Sequence, residues 1–94
     1  MFIYDVIAKR HEAAHAAGKS DVCLFYDENR EESIRAMHNY CKTHGFSIDT
    51  PDGTFSIADL ILRERTPTGE VISETPYRQI FDVYGNRIVE LKPR

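Results

Sequence analysis

The sequence predicts an α+β fold in which two helices pack on one face of a predominantly antiparallel sheet of about five strands, including one strand-helix-strand unit. Three observations carry this. Two segments in the first half repeat apolar residues at helical spacing and stop at a glycine, a continuous apolar run lies between them, and from Pro51 onward short apolar runs alternate with turn residues.

The first helix is expected over residues 2–17. Ile3, Val6, Ile7, Ala13, Ala14 and Ala17 fall on one stripe that also includes Arg10, and Gly18 supplies a left-handed stop. His11, Glu12 and His15 then fall on the opposite, solvated side.

After the polar link Gly18-Lys19-Ser20-Asp21, the run Val22-Cys23-Leu24-Phe25-Tyr26 reads as a strand covered on both faces and placed near the sheet centre. Asn29 and Glu32 are spaced as a capping box that opens the second helix, and Glu28, Glu31 and Glu32 sit near the positive end of its dipole. Lys42, His44 and Gly45 close it. Ile34, Met37 and Cys41 form its inward stripe, flanked by His38 and Tyr40, with a Glu31/Arg35 pair outside. Phe46-Ser47-Ile48 supplies the strand that follows, so a right-handed crossover is expected if the two strands are parallel neighbours.

The second half reads as a meander punctuated by Pro51-Asp52-Gly53, Pro67-Thr68-Gly69 and Gly85-Asn86. A two-residue Gly85-Asn86 loop would pair Val83 with Ile88, Phe81 with Glu90 and Ile80 with Leu91. Residues 55–65 admit a helix, because Ser56 and Asp59 resemble a capping box. Leu60-Ile61-Leu62 running into the next turn favours a strand.

A chain of 94 residues fits one domain, 1–94, because there is no room for a second core. With 41% hydrophobic and 29% charged residues, it can bury enough apolar surface to fold. The net charge is −3 and the twelve Lys and Arg are scattered, which argues against a duplex-binding surface. Cys23 and Cys41 sit in core-like segments, as expected of reduced thiols in a cytoplasmic protein. No leader or apolar run of membrane-spanning length is visible, so no membrane partner is expected.

One motif names a chemistry. His11-Glu12-Ala13-Ala14-His15 matches the H-E-x-x-H pattern, in which two histidines one helical turn apart bind zinc and the glutamate is general base on the bound water. The resemblance to zinc-dependent metalloproteases covers these five residues. It implies metal ligands at His11 and His15, Glu12 as the catalytic residue, and Zn as cofactor, with a third ligand from His38, His44 or another chain. Against it stand the solvated helix face and the lack of a third ligand at a recognisable spacing, so a solvated face is the preferred reading.

The other patterns favour plain structural roles. His38, Cys41 and His44 spread around a helix, Cys41 suits a core position, and a helix C-terminal half raises a thiol's pKa. Gly18-Lys19-Ser20 lacks the earlier glycine of a phosphate-binding loop, and Asp49–Gly53 lacks the ligand alternation of a calcium loop. Most of the aromatic residues are expected in the core.

The function expected is therefore a small non-enzymatic interaction or regulatory module, with no cofactor and with protein as partner, self-associating as a homodimer through a sheet edge or the uncovered sheet face. The alternative is a small zinc-dependent hydrolase using the HEAAH segment. A third, nucleic-acid option would present Tyr77, Phe81 or Tyr84 beside Arg63, Arg65, Arg78 and Arg87.

Overall fold

The computed structural model describes residues 1–10, 21–51, 53–81, 84 and 87–93. Within them the chain runs β1 (Ile3–Arg10), β2 (Val22–Asp27), α1 (Arg30–His44), β3 (Ser47–Thr50), β4 (Gly53–Arg65), β5 (Val71–Phe81) and β6 (Arg87–Pro93). The strands form one sheet in the order β2-β1-β4-β5-β6, with β3 also paired to β4, and every ladder is antiparallel. An antiparallel α+β fold is thus found, with one helix among the described residues instead of two. That helix is too short and polar to cross a membrane.

The first expected helix is corrected over its first part, since Ile3–Arg10 is a strand. Ile3, Val6 and Ile7 fit both periods, but Tyr4, Val6 and Ala8 alternate strictly with Asp5, Ile7 and Lys9. Aromatic and β-branched side chains favour the pleated solution once strands flank them on both sides. The remainder of that expected helix, with His11, Glu12 and His15, lies outside the described residues.

The run Val22–Tyr26 is a strand but not a central one. It ends the sheet path, and β1 and β4 occupy the middle. Strand, helix and strand do follow in order, yet β3 pairs with β4 and runs antiparallel to β2, so no parallel crossover forms. Residues 55–65 belong to one thirteen-residue strand, as the turn spacing favours. The last hairpin departs from the expected register. Ile80 faces Ile88 and Phe81 faces Arg87, with a register shift at Gln79/Ile80, while Val83 of the expected pairing lies outside the described residues.

Helix α1 follows its capping residues closely. The Asn29 side chain accepts from the amides of Glu31 and Glu32 at 2.9 and 3.2 Å. The reciprocal half of the box is replaced: Asp27 accepts from the Asn29 amide at 2.7 Å, which leaves Glu32, not Glu31, to pair with Arg35 at 2.6 Å. Gly45 closes the helix at φ 80°, and its amide reaches the Cys41 carbonyl. Gly69, at φ 100°, makes the β4–β5 turn by donating to Thr66.

The inward face of α1 buries Ser33, Met37 and Cys41, with Ile34 partly buried. It packs on Val6, Ala8, Phe55, Ile57, Leu60 and Leu62 from β1 and β4. Each of the larger side chains contributes roughly 1.5–3 kcal/mol by leaving water. Cys41 is a core residue, as expected. Where β4 bulges at Ile57–Asp59, the ladder to β1 jumps from Leu60 to Ser56. Gln79 of β5 replaces the lost partners, its buried Nε2 donating to the carbonyls of Ile57 and Gly45 at 2.8 and 2.7 Å. One side chain thus ties the bulge to the end of α1.

Candidate functional site

Alternation along β1 sends Asp5 and Ile7 to the face opposite α1. Asp5 is only 1% exposed there, and its neighbours make that burial tolerable. Arg63 lies directly across from it on β4, while Arg65, two residues on, shares its face. Arg63 brings Nε and Nη2 to Asp5 Oδ2 at 3.0 Å each, and Arg65 brings Nε to the same oxygen at 2.7 Å. Two guanidinium forks therefore converge on one carboxylate oxygen. The other oxygen, Oδ1, lies 3.8 Å from the Cys23 sulfur on β2.

Such a cluster sets its own electrostatics. A carboxylate out of water is costly unless it is paired and hydrogen-bonded, and here both conditions hold. The hydrogen bond to Asp5 pushes the Arg65 guanidinium further up, so it stays charged at any ordinary pH. Partial desolvation, and then the negative charge of Asp5, push the Cys23 thiol up, although the residue itself is exposed. A thiol in that state is a poor nucleophile, since the thiolate is the reactive form.

A cavity of about 340 Å³ lies on the same face, lined by Ile7, Asp21, Cys23, Ile61, Arg63 and Glu74. Ile7 opposes both Cys23 and Ile61 across the sheet, which gives the cavity an apolar floor. Arg63 and Glu74 are opposite each other on β4 and β5, at one end of that floor.

The residues singled out in the sequence are not brought together here. His11, Glu12 and His15 lie outside the described residues, so the HEAAH segment has no geometry to set beside this cluster. His44 stacks on Tyr40, with ring centres 6.1 Å apart, and Cys41 is buried in the core. Among the described residues no group of three or more His, Cys, Asp and Glu could hold a metal. The surface imagined for nucleic acid is also divided. Tyr77 is buried on the helix side, where its hydroxyl accepts from Arg30 at 3.3 Å, while Arg63 and Arg65 turn to Asp5 on the other side.

The Asp5 cluster itself went unread in the sequence. Its signals are an acid inside an apolar strand-like run and two arginines spaced two apart in Arg63-Glu64-Arg65, so that a strand puts both on one face. The chain matches no family model, no curated protein and no solved structure.

Proposed function

We propose that the protein is a non-enzymatic interaction module that pairs with a second copy of itself through the outer edge of β5. The observation that carries this is the half-filled edge of that strand. β6 pairs only with Tyr77–Phe81, so the outer edge of residues 71–75 meets no described strand, and Val71 and Ile72 there are about half exposed. An edge of this kind offers unpaired backbone groups and β-branched side chains to another extended chain.

The opposite edge of the sheet is protected. In β2 the register shifts beside Leu24, and the Tyr40 hydroxyl donates to the Leu24 carbonyl at 2.9 Å. A side chain that occupies an edge carbonyl is one device by which sheets block edge pairing, and it is what separates this edge from that of β5, which carries a register shift of its own at Ile72. An antiparallel pair about a two-fold axis at Ser73 places Val71 opposite Thr75 and Ile72 opposite Glu74 of the second copy. The contact is self-complementary and closes as a dimer.

What supports a binding role over catalysis is the state of the reactive groups. The Asp5 carboxylate is occupied by two guanidiniums and the Cys23 thiol is held protonated. Cys23 and Cys41 form no disulfide, which fits a reducing cytoplasm.

Sedimentation velocity over a range of concentrations tests the proposal. A five-residue edge buries little surface, so a weak dimer is expected, with Kd on the order of 10–100 μM. The double variant Val71→Lys/Ile72→Lys should sediment as a monomer with unchanged thermal unfolding. A wild-type chain that stays monomeric at ~1 mM, well above any Kd of that size, overturns it.

A further inference from the structure

We propose that the groove between α1 and β2 binds an uncharged nitrogen heteroaromatic ring, such as the base of a purine nucleoside. The groove holds about 290 Å³ and is lined by Phe25, Ala36, Asn39, Tyr40, Thr43 and His44. One helix face supplies most of it. Ala36, Tyr40 and His44 follow one another at steps of four residues, as do Asn39 and Thr43, so all five share a stripe of α1. Phe25 of β2, partly buried, completes the lining.

Three of the six lining side chains are aromatic, and two of these are already held in place. The Tyr40 hydroxyl donates to the Leu24 carbonyl at 2.9 Å, and the Tyr40 ring stacks on that of His44 with their planes 26° apart. A ring tethered at its tip and packed on a neighbour loses little freedom when a ligand lies against it, because its ordering is complete on folding. Such rings accept any flat π system.

The polar side chains narrow the choice. Asn39 and Thr43 are exposed, and among the described residues neither side chain makes a hydrogen bond. An amide offers donors beside an acceptor, and a hydroxyl can act as either. An aliphatic ligand would displace water from these groups without replacing its hydrogen bonds. No Asp, Glu, Lys or Arg lines the groove, so a charged ligand would leave water without a counter-charge. A purine meets both conditions. Its faces stack, and the amine and ring nitrogen of adenine present the donor and acceptor that an asparagine amide matches. A volume just below the usual range for drug-sized ligands suits a single fused ring.

NMR titration of the full chain with adenosine tests the site, beside adenosine dimethylated on its exocyclic amine, which keeps the stacking face and loses the donors. Adenosine should bind with Kd on the order of 1 mM, shifting the amides of Ala36, Asn39 and Thr43, and the dimethylated analogue ~5-fold or more weakly. Asn39→Ala, at an exposed helix position, should weaken adenosine ~5-fold with circular dichroism and thermal unfolding as in the wild type. In that variant the two nucleosides should bind alike, because neither then meets an amide. An adenylate tetranucleotide should bind no more tightly than adenosine, since no lysine or arginine of the groove would hold its phosphates. The proposal is overturned if adenosine shifts none of these amides up to ~10 mM, well above the expected Kd. It is overturned equally if the dimethylated analogue binds as well as adenosine, if Asn39→Ala leaves the affinity unchanged, or if the tetranucleotide binds ~10-fold more tightly, which would make single-stranded nucleic acid the ligand. No lining residue belongs to β5, so a chain that fails to dimerise through that edge should bind adenosine as well as one that does.

Discussion

The two faces of the β1–β4 pair solve opposite problems with alternate residues of the same two strands. Toward α1, Val6, Ala8, Leu60 and Leu62 meet Met37 and Cys41 in an apolar layer. Away from it, Asp5, Arg63 and Arg65 build an ionic layer just as well covered at its centre: the Asp5 side chain is 1% exposed, against 31% and 22% for the two arginines. Burial is the same thing on both faces only as geometry. On the apolar face each atom contributes a small dispersion and transfer gain, so losses scale with volume removed. On the ionic face the contribution is collective, and removing one member leaves the others uncompensated.

The largest expected effect follows from that contrast. Asp5→Ala should destabilise the fold by about 3–5 kcal/mol, because two guanidiniums would then face each other without their shared carboxylate. Urea denaturation measures it. Replacing all three members together with apolar residues of similar volume, for instance Asp5→Leu, Arg63→Met and Arg65→Leu, should cost far less than the single change. If the triple variant is as unstable as Asp5→Ala, the ionic layer does not behave collectively and the comparison fails. On the apolar face, Leu60→Ala should cost about 3 kcal/mol by the same measurement, through lost transfer energy and the cavity left behind. Leu60 and Met37 belong to the same apolar layer, so the cost of Leu60→Ala should depart from additivity with that of Met37→Val.

How much of this was legible in the sequence divides along the same line. Signals that act within a few residues were readable: the Asn29 cap, the Gly45 stop, the turn at Pro67-Thr68-Gly69 and the inward Met37 and Cys41. Those that depend on distant strands were not. Ile3–Arg10 fits helix and strand alike until β2 and β4 pair on either side of it, and the hydrophobic run of β2 looked central although it lies at the end of the path. The candidate site is wholly of the second kind. Asp5 meets Arg63 and Arg65 across 58 and 60 residues of chain, a separation that no local pattern encodes. The HEAAH segment was conspicuous for the opposite reason, since its pattern is complete within five residues.

A smaller effect should come from the local class of feature, and it sharpens the contrast. Asn29→Ala removes a side chain that satisfies two orphan amides at the start of α1, and should cost about 1 kcal/mol in thermal or urea unfolding. Because the cap's partners, Asp27, Glu31 and Glu32, are none of the partners of Asp5, its cost should add to that of Asp5→Ala within a few tenths of a kcal/mol. A marked departure from additivity would mean that α1 and the far face of the sheet are coupled through β1.

The smallest effect concerns Cys23, which touches the ionic layer from β2 without belonging to it. Its thiol is pushed up first by partial desolvation and then by Asp5, so the folded protein holds the proton more tightly than the unfolded chain. The sign of the linkage follows. Any stability from this group is fully present below the unfolded thiol's pKa and is lost as pH rises through the raised folded value, because the unfolded state then binds fewer protons. Alkylation by iodoacetamide should accordingly be slower at pH 8 than for an unstructured cysteine peptide, with its rate midpoint displaced to higher pH. Cys41 is buried and should not contribute in the native state. Desolvation and the carboxylate can be separated by comparing Cys23 in the wild type with Cys23 in the triple apolar variant. There the negative charge is gone but the cover remains, so the midpoint should move only part of the way back. A complete return would assign the shift to Asp5 alone, and with it the protonated state of Cys23 to the ionic layer and not to desolvation.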